Sequence, residues 1–124
     1  MKFDLEQRLI RFSITIIRIV ERMPATKLGN YLGDQLMRSG IAPALLYGEA
    51  QSAESRRDFI HKMKIGLKEL RETSISLTLI KEVGPPALIQ DIDAARKEDV
   101  ELISIFHKSI STATKNLAME KSSR

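Results

Sequence analysis

The chain has no cysteine and no tryptophan, and only two tyrosines and four phenylalanines among its 124 residues. Without cysteine there is no disulfide framework, no cysteine-ligated zinc and no iron–sulfur cluster, which suits a reducing compartment. With so few rings there is little material for stacking on nucleobases. Histidine is scarce too: His61 and His107 lie far apart, outside spacings such as H-E-x-x-H, so no metal site is expected. The glycines are scattered outside the Walker and dinucleotide patterns, and no cofactor is expected. A long apolar run is also missing. Ile14 to Val20 comes nearest, but Arg8, Arg11 and Arg18 interrupt its surroundings, whereas a membrane span needs roughly 18 or more apolar residues. A cytoplasmic protein with no membrane association is expected.

What is present is helical pattern. Hydrophobic residues make up 43% of the chain, enough for one core, so one domain is expected over 1–119, with a polar tail over 120–124 that frays. No alternating strand run and no internal repeat occurs. The first helix is expected from about Asp4 to Met23, with Asp4 and Gln7 as a capping box, Pro24 as its end, and Leu5, Leu9, Phe12, Ile16, Ile19 and Met23 inward. The second, from about Thr26 or Lys27 to Gln51, turns Leu28, Leu32, Leu36, Leu46 and Tyr47 inward. Pro43 is expected to interrupt and kink it, because proline lacks the helix donor and clashes with the preceding turn. The third runs from about Ser55 to Val83 and is stopped by Gly84-Pro85-Pro86. In the fourth region Leu88, Ile92, Ala95, Ile103, Phe106, Ile110, Ala113 and Leu117 share a face with Asp99. That misfit predicts a break or a short extra helix near Asp93 to Asp99. The fold class is therefore all-α: an antiparallel up-and-down four-helix bundle with a kinked second helix.

One helix has more apolar surface than such a core can cover. Phe3, Ile10, Ile14 and Ile17 form a second stripe about 150° from the first helix's core stripe. A contiguous exposed stripe of this kind serves self-association, with wrapping by a neighbouring helix as the alternative. Ile65, Ile75, Leu79 and Val83, off the main face of the third helix, add to the surplus.

Charge is modest in sum, +4, and uneven in distribution. Residues 1–23 carry five basic and three acidic groups, 24–54 two and three, 55–85 seven and four, and 86–124 six and six. The excess thus sits on the first and third segments. On the third helix Arg57, His61, Lys64, Lys68 and Arg71 fall in one row at helical spacing, opposite an apolar face of Phe59, Ile60, Met63, Gly66, Leu67 and Leu70. On the first helix Arg8, Arg11, Arg18 and Arg22 lie within about 80° of one another. Either row would suit a polyanion, RNA or DNA, and arginine's planar fork binds phosphate oxygens in pairs. Local pairing is the competing reading: Lys68 with Glu72, Arg57 with Glu54, Asp4 with Arg8 and Arg18 with Glu21. No aromatic residue interleaves with either row, so phosphate contacts with little sequence preference are expected. Glu49, Glu69 and Glu72 beside Arg38 and Arg71 read as register-fixing ion pairs. Without a nucleophile or metal cluster they do not read as catalytic groups, and no enzyme is expected.

RSG at Arg38 to Gly40, EAQSAESRRDFIHKMKIGLKELRET at 49–73 and EDVELISIFHKSISTATKN at 98–116 together resemble a four-helix-bundle family first met as reading frames in intervening sequences of large-subunit ribosomal RNA genes. The resemblance spans nearly the whole chain, and Asp58 to Thr73 is similar to the Bacteroidetes-type members. It implies a protomer of a ring-shaped homo-oligomer, a homopentamer. A related branch, the accessory protein of diversity-generating retroelements, implies partners in nucleic acid and in a nucleic-acid enzyme. The family's older label as a ribosomal protein reflects genomic position. Two departures stand out: Ala42-Pro43-Ala44-Leu45-Leu46 replaces a Ser-Ile-Gly-Ala-Asn stretch, and Ile75-Ser76 replaces an aromatic pair. A protein–protein scaffold without nucleic acid is the alternative function.

Overall fold

A computed structural model describes residues 4–123 as four helices joined by short turns, with no strand among them. Each of the first three helices starts where a short polar side chain can satisfy an orphan amide. Asp4 accepts from the Gln7 backbone N–H and opens α1 (Leu5–Glu21). Thr26 accepts from Gly29 N–H and opens α2 (Lys27–Gln51), and Ser55 accepts from Asp58 N–H and opens α3 (Arg56–Val83). Gly84 ends α3, its N–H donating to the Ile80 carbonyl, and the prolines after it lead through a 3₁₀ turn (Pro86–Leu88) into α4 (Ile89–Ser122).

Contacts between helices run in opposite sequence directions, which makes the bundle antiparallel and up-and-down. Arg8 meets Glu98 while Arg22 meets Asp91, joining α1 to α4. Arg38 meets Glu69 while Glu49 meets Lys62, joining α2 to α3; Arg56 meets Glu120 while Lys81 meets Asp93, joining α3 to α4. Between α1 and α2 the approach is close at Gly33, beside Val20, and at Gly40, beside Ile16. The core is one continuous cluster that includes Leu9, Phe12 and Ile16 of α1, Leu36 of α2, Met63, Leu70 and Leu77 of α3, and Ile92, Leu102 and Phe106 of α4.

Three expectations change. Leu28 is exposed, because α2 centres its inward face on Leu36 and its neighbours, and Leu28 lies about 80° around the helix from Leu36. Pro43 does not interrupt α2; it is buried inside a continuous helix and removes one backbone donor. Toward the C-terminus α4 is described as far as Ser122, and Glu120 accepts from Arg56. α4 does not break near Asp93 to Asp99. The helix stays whole and carries Asp99 into the core at 0% exposure, between the buried Ala95 and Leu102. Breaking the helix there would release several backbone hydrogen bonds and turn apolar neighbours to water, whereas burial sacrifices the solvation of one carboxyl group. Both Asp99 oxygens lack a hydrogen-bond partner among the described residues, and burial pushes the carboxyl up to about 7.

Candidate nucleic-acid interface

The third helix keeps its five-residue row in water. Arg57, His61, Lys64, Lys68 and Arg71 are all exposed, and none forms an ion pair among the described residues. Their helix is held from behind by Met63, Gly66, Leu67 and Leu70, all buried, with the Gly66 backbone pressed against the Phe106 ring. The local partners suggested by spacing are engaged elsewhere or not used. Glu72 does not take Lys68; it accepts from Arg38, which also reaches the buried Glu69. The Arg38 guanidinium holds the Glu72 carboxyl below the usual carboxylate range. Glu54 makes no ion pair with Arg57 among the described residues.

The row on α1 is treated differently. Arg8 forks onto Glu98 at 2.7 and 2.8 Å and also meets Glu101, and Arg22 pairs with Asp91 and donates to the Ala87 carbonyl. Arg8 and Arg22 thus fasten α1 to α4, and the row is reduced to Arg11 and Arg18, both exposed and without an ion pair among the described residues. The intrahelical pairs Asp4–Arg8 and Arg18–Glu21 do not form.

Beside the third-helix row lies a feature that segment charge had concealed. A groove of about 670 Å³ runs between α3 and α4, with Lys64, Lys68 and Arg71 along one rim and Lys115 and His107 along the other. Its floor includes Leu67 and Ile110; Ser111 and Thr114 supply hydroxyls, and no carboxylate among the described residues lines it. The α4 wall is basic because the 18 residues from Leu102 to Met119 contain no Asp or Glu, whereas Ile89 to Glu101 contain five. Averaged over residues 86–124 the two halves cancel; a running charge window would have separated them.

The second apolar stripe is uncovered in the single chain. Ile10 and Ile14 are each 41% exposed and Ile17 is half-buried; Phe3 lies outside the described residues. On α3, Ile75, Leu79 and Val83 are exposed and continue the line of the basic row toward the helix C-terminus, while Ile65 is half-buried. No cluster of His, Cys, Asp or Glu among the described residues could hold a metal, and no helix there is long and apolar enough to cross a membrane. Three carboxylates of the second and third helices are held in ion pairs: Glu69 and Glu72 bind Arg38, and Glu49 binds Lys62.

No protein-family model and no curated protein matches this chain. Among solved structures, a Bacteroides thetaiotaomicron protein described as of unknown function, from the S23 ribosomal protein family, superposes with a TM-score of 0.79 at 23% identity, over 86% of this chain and 98% of that one. The similarity shows a shared four-helix fold.

Proposed function

We propose that this protein is a non-enzymatic, homo-oligomeric four-helix bundle of the cytoplasm that binds RNA or DNA without sequence preference, as an accessory to a nucleic-acid enzyme. The observation that carries this reading is a run of exposed basic side chains along one helix face: among the described residues seven cations are tied into nine salt bridges, and none of the five residues of the Arg57–Arg71 row is one of them. Phosphate binding draws on cations of this kind, since each one neutralising a phosphate releases counterions. The sequence resemblance to the intervening-sequence family supports the same reading through its nucleic-acid-binding branch, and the structural neighbour, itself of unknown function, supports the four-helix fold on which the row is displayed.

The test is a salt titration with labelled oligonucleotides. Wild type is expected to show a log–log slope of about −3, and Arg57→Glu/Lys64→Glu/Lys68→Glu to lose binding at least about tenfold with a shallower slope. Absence of binding at low salt would retire the proposal. The scaffold reading keeps one observation in its favour, the exposed Ile75, Leu79 and Val83, which phosphate contacts do not use.

Self-association, as a pentameric ring, belongs to the proposal because it would repeat the row and multiply weak contacts. Light scattering is expected to show an oligomer for wild type and a monomer for Ile10→Glu/Ile14→Glu. A wild-type monomer at micromolar concentration would overturn it.

A further inference from the structure

We infer that the α3–α4 groove binds nucleic acid as a single strand, with α4 supplying half of the site; this rests on the polyanion reading above. The lining combines two properties that a duplex cannot use together. Cations stand on both rims, Lys64, Lys68 and Arg71 facing Lys115, so a chain of phosphates is attracted along the slot and not only to one ridge. Between the rims the floor is aliphatic, with Leu67 nearly buried and Ile110 half-buried. In a duplex the base faces are stacked away. A B-form duplex, whose major groove alone is about 12 Å wide, is also broader than the slot between two helices packed about 8–10 Å apart. It could touch a rim but would leave the floor uncovered. A single strand can lay its phosphates on the rims and turn an unstacked base face onto Leu67 and Ile110. The floor is aliphatic and does not discriminate between bases; the one ring lining the groove, the His107 imidazole, stands on the rim, and Ser111 and Thr114 offer hydroxyls to either sugar or phosphate.

The path does not end at this groove. Lys115 and His107 also line a shallower depression on the outer side of α4 that reaches Lys108. Lys108 in turn lines a third groove on the other flank of α4, with Phe59 and with Arg56, which is itself tied to Glu120. Through His107, Lys115 and Lys108 the three follow one another along the Leu102–Met119 stretch, which carries no Asp or Glu, so the cationic lining extends across that helix.

Charge complementarity alone would also admit an acidic peptide, so the test includes one. Fluorescence anisotropy would compare a labelled 15-nucleotide oligothymidylate and oligouridylate with a hairpin duplex of equal charge. The proteins are wild type, Lys108→Glu/Lys115→Glu and the distant control Lys27→Glu, an exposed position at the start of α2 that belongs to neither basic row and lines none of the grooves, each checked for helicity. The expected result is single-strand binding at least about tenfold tighter than duplex, whichever sugar is used. The α4 variant should lose about tenfold or more and at least one unit of salt slope, and Lys27→Glu should change little. Equal affinity for duplex and single strand, or an unchanged affinity in Lys108→Glu/Lys115→Glu, would overturn the groove assignment even if the α3 charge reversals abolish binding. Displacement of the strand by polyglutamate at equal charge concentration would overturn it in favour of an acidic protein partner. Failure of every oligonucleotide to bind would remove the polyanion reading itself.

Discussion

Asp99→Asn is expected to make the protein more stable than wild type at pH 8 by about 2 kcal/mol, and to abolish a pH dependence that wild type shows between about pH 4 and 7. The cause is the unpartnered carboxyl group in the bundle core. Its folded value of about 7 stands well above the 3.8 of a solvated aspartate, so between those values the native state holds a proton that the unfolded chain has lost. Stability must therefore fall as pH rises through that interval and level off above it, with a total drop of about 4 kcal/mol. Asparagine has nearly the same shape and no charge to desolvate, but it leaves a buried amide unpaired at about 1–3 kcal/mol, which is why the net gain is smaller than the drop. Below pH 4, where Asp99 is protonated in the folded and the unfolded chain alike, the variant should have no advantage. The salt-bridged carboxylates do not obscure the result. Glu72, held low by Arg38, contributes stability present above its unfolded value of 4.5 and lost as pH falls through its lower folded value, below the pH 5 to 8 range in which Asp99 is followed. Urea unfolding at pH 5, 6.5 and 8 on both proteins decides it. A wild-type stability that stays flat or rises across the window would show that Asp99 is solvated or paired.

Asp99 also shows what the sequence could and could not disclose. Its presence on an apolar face was visible, and a local rule reads such a carboxylate as a helix break. The outcome was set by α4's commitment to its neighbours, with Ile92, Ala95, Leu102 and Phe106 all fully or almost fully buried around it. Helix starts at Asp4, Thr26 and Ser55 were legible because capping is decided within three or four residues. The core stripe of α1 was legible because it is dense: Leu5, Leu9, Phe12, Ile16 and Ile19 are all buried. Whether a cation is free was not legible. Arg8 and Arg11 look alike in sequence, yet Arg8 is held by Glu98, 90 residues away, and Arg11 has no ion pair among the described residues. The α4 wall of the groove went unread for a related reason, since its residues join the α3 row only when the bundle closes.

Gly40→Ala is expected to destabilise the protein by about 2–3 kcal/mol, although alanine is favoured over glycine inside a helix by about 1 kcal/mol. A methyl group at Gly40 would stand 2.8 Å from both Cγ atoms of Ile16 and 3.2 Å from its Cβ. Ile16 cannot turn aside: it is completely buried, and its branched side chain has essentially one χ1 rotamer in a helix. The clash must be relieved by moving α1 away from α2, which loosens packing along both helices. Gly48→Ala provides the reference, because it lies in the same helix, is exposed and has nothing within 4 Å of the added methyl, so it should stabilise by up to about 1 kcal/mol. The two substitutions are chemically identical, and packing alone gives them opposite signs. Ile16→Ala/Gly40→Ala should cost less than the sum of the single changes, because removing the Cγ atoms relieves the clash. Denaturant unfolding of the four variants measures all three quantities. A stabilising Gly40→Ala would mean that α1 does not approach α2 at this point. The rotation that buries Ile16 and turns Ile10 and Ile14 outward would then be wrong, and with it the apolar stripe proposed as the subunit interface.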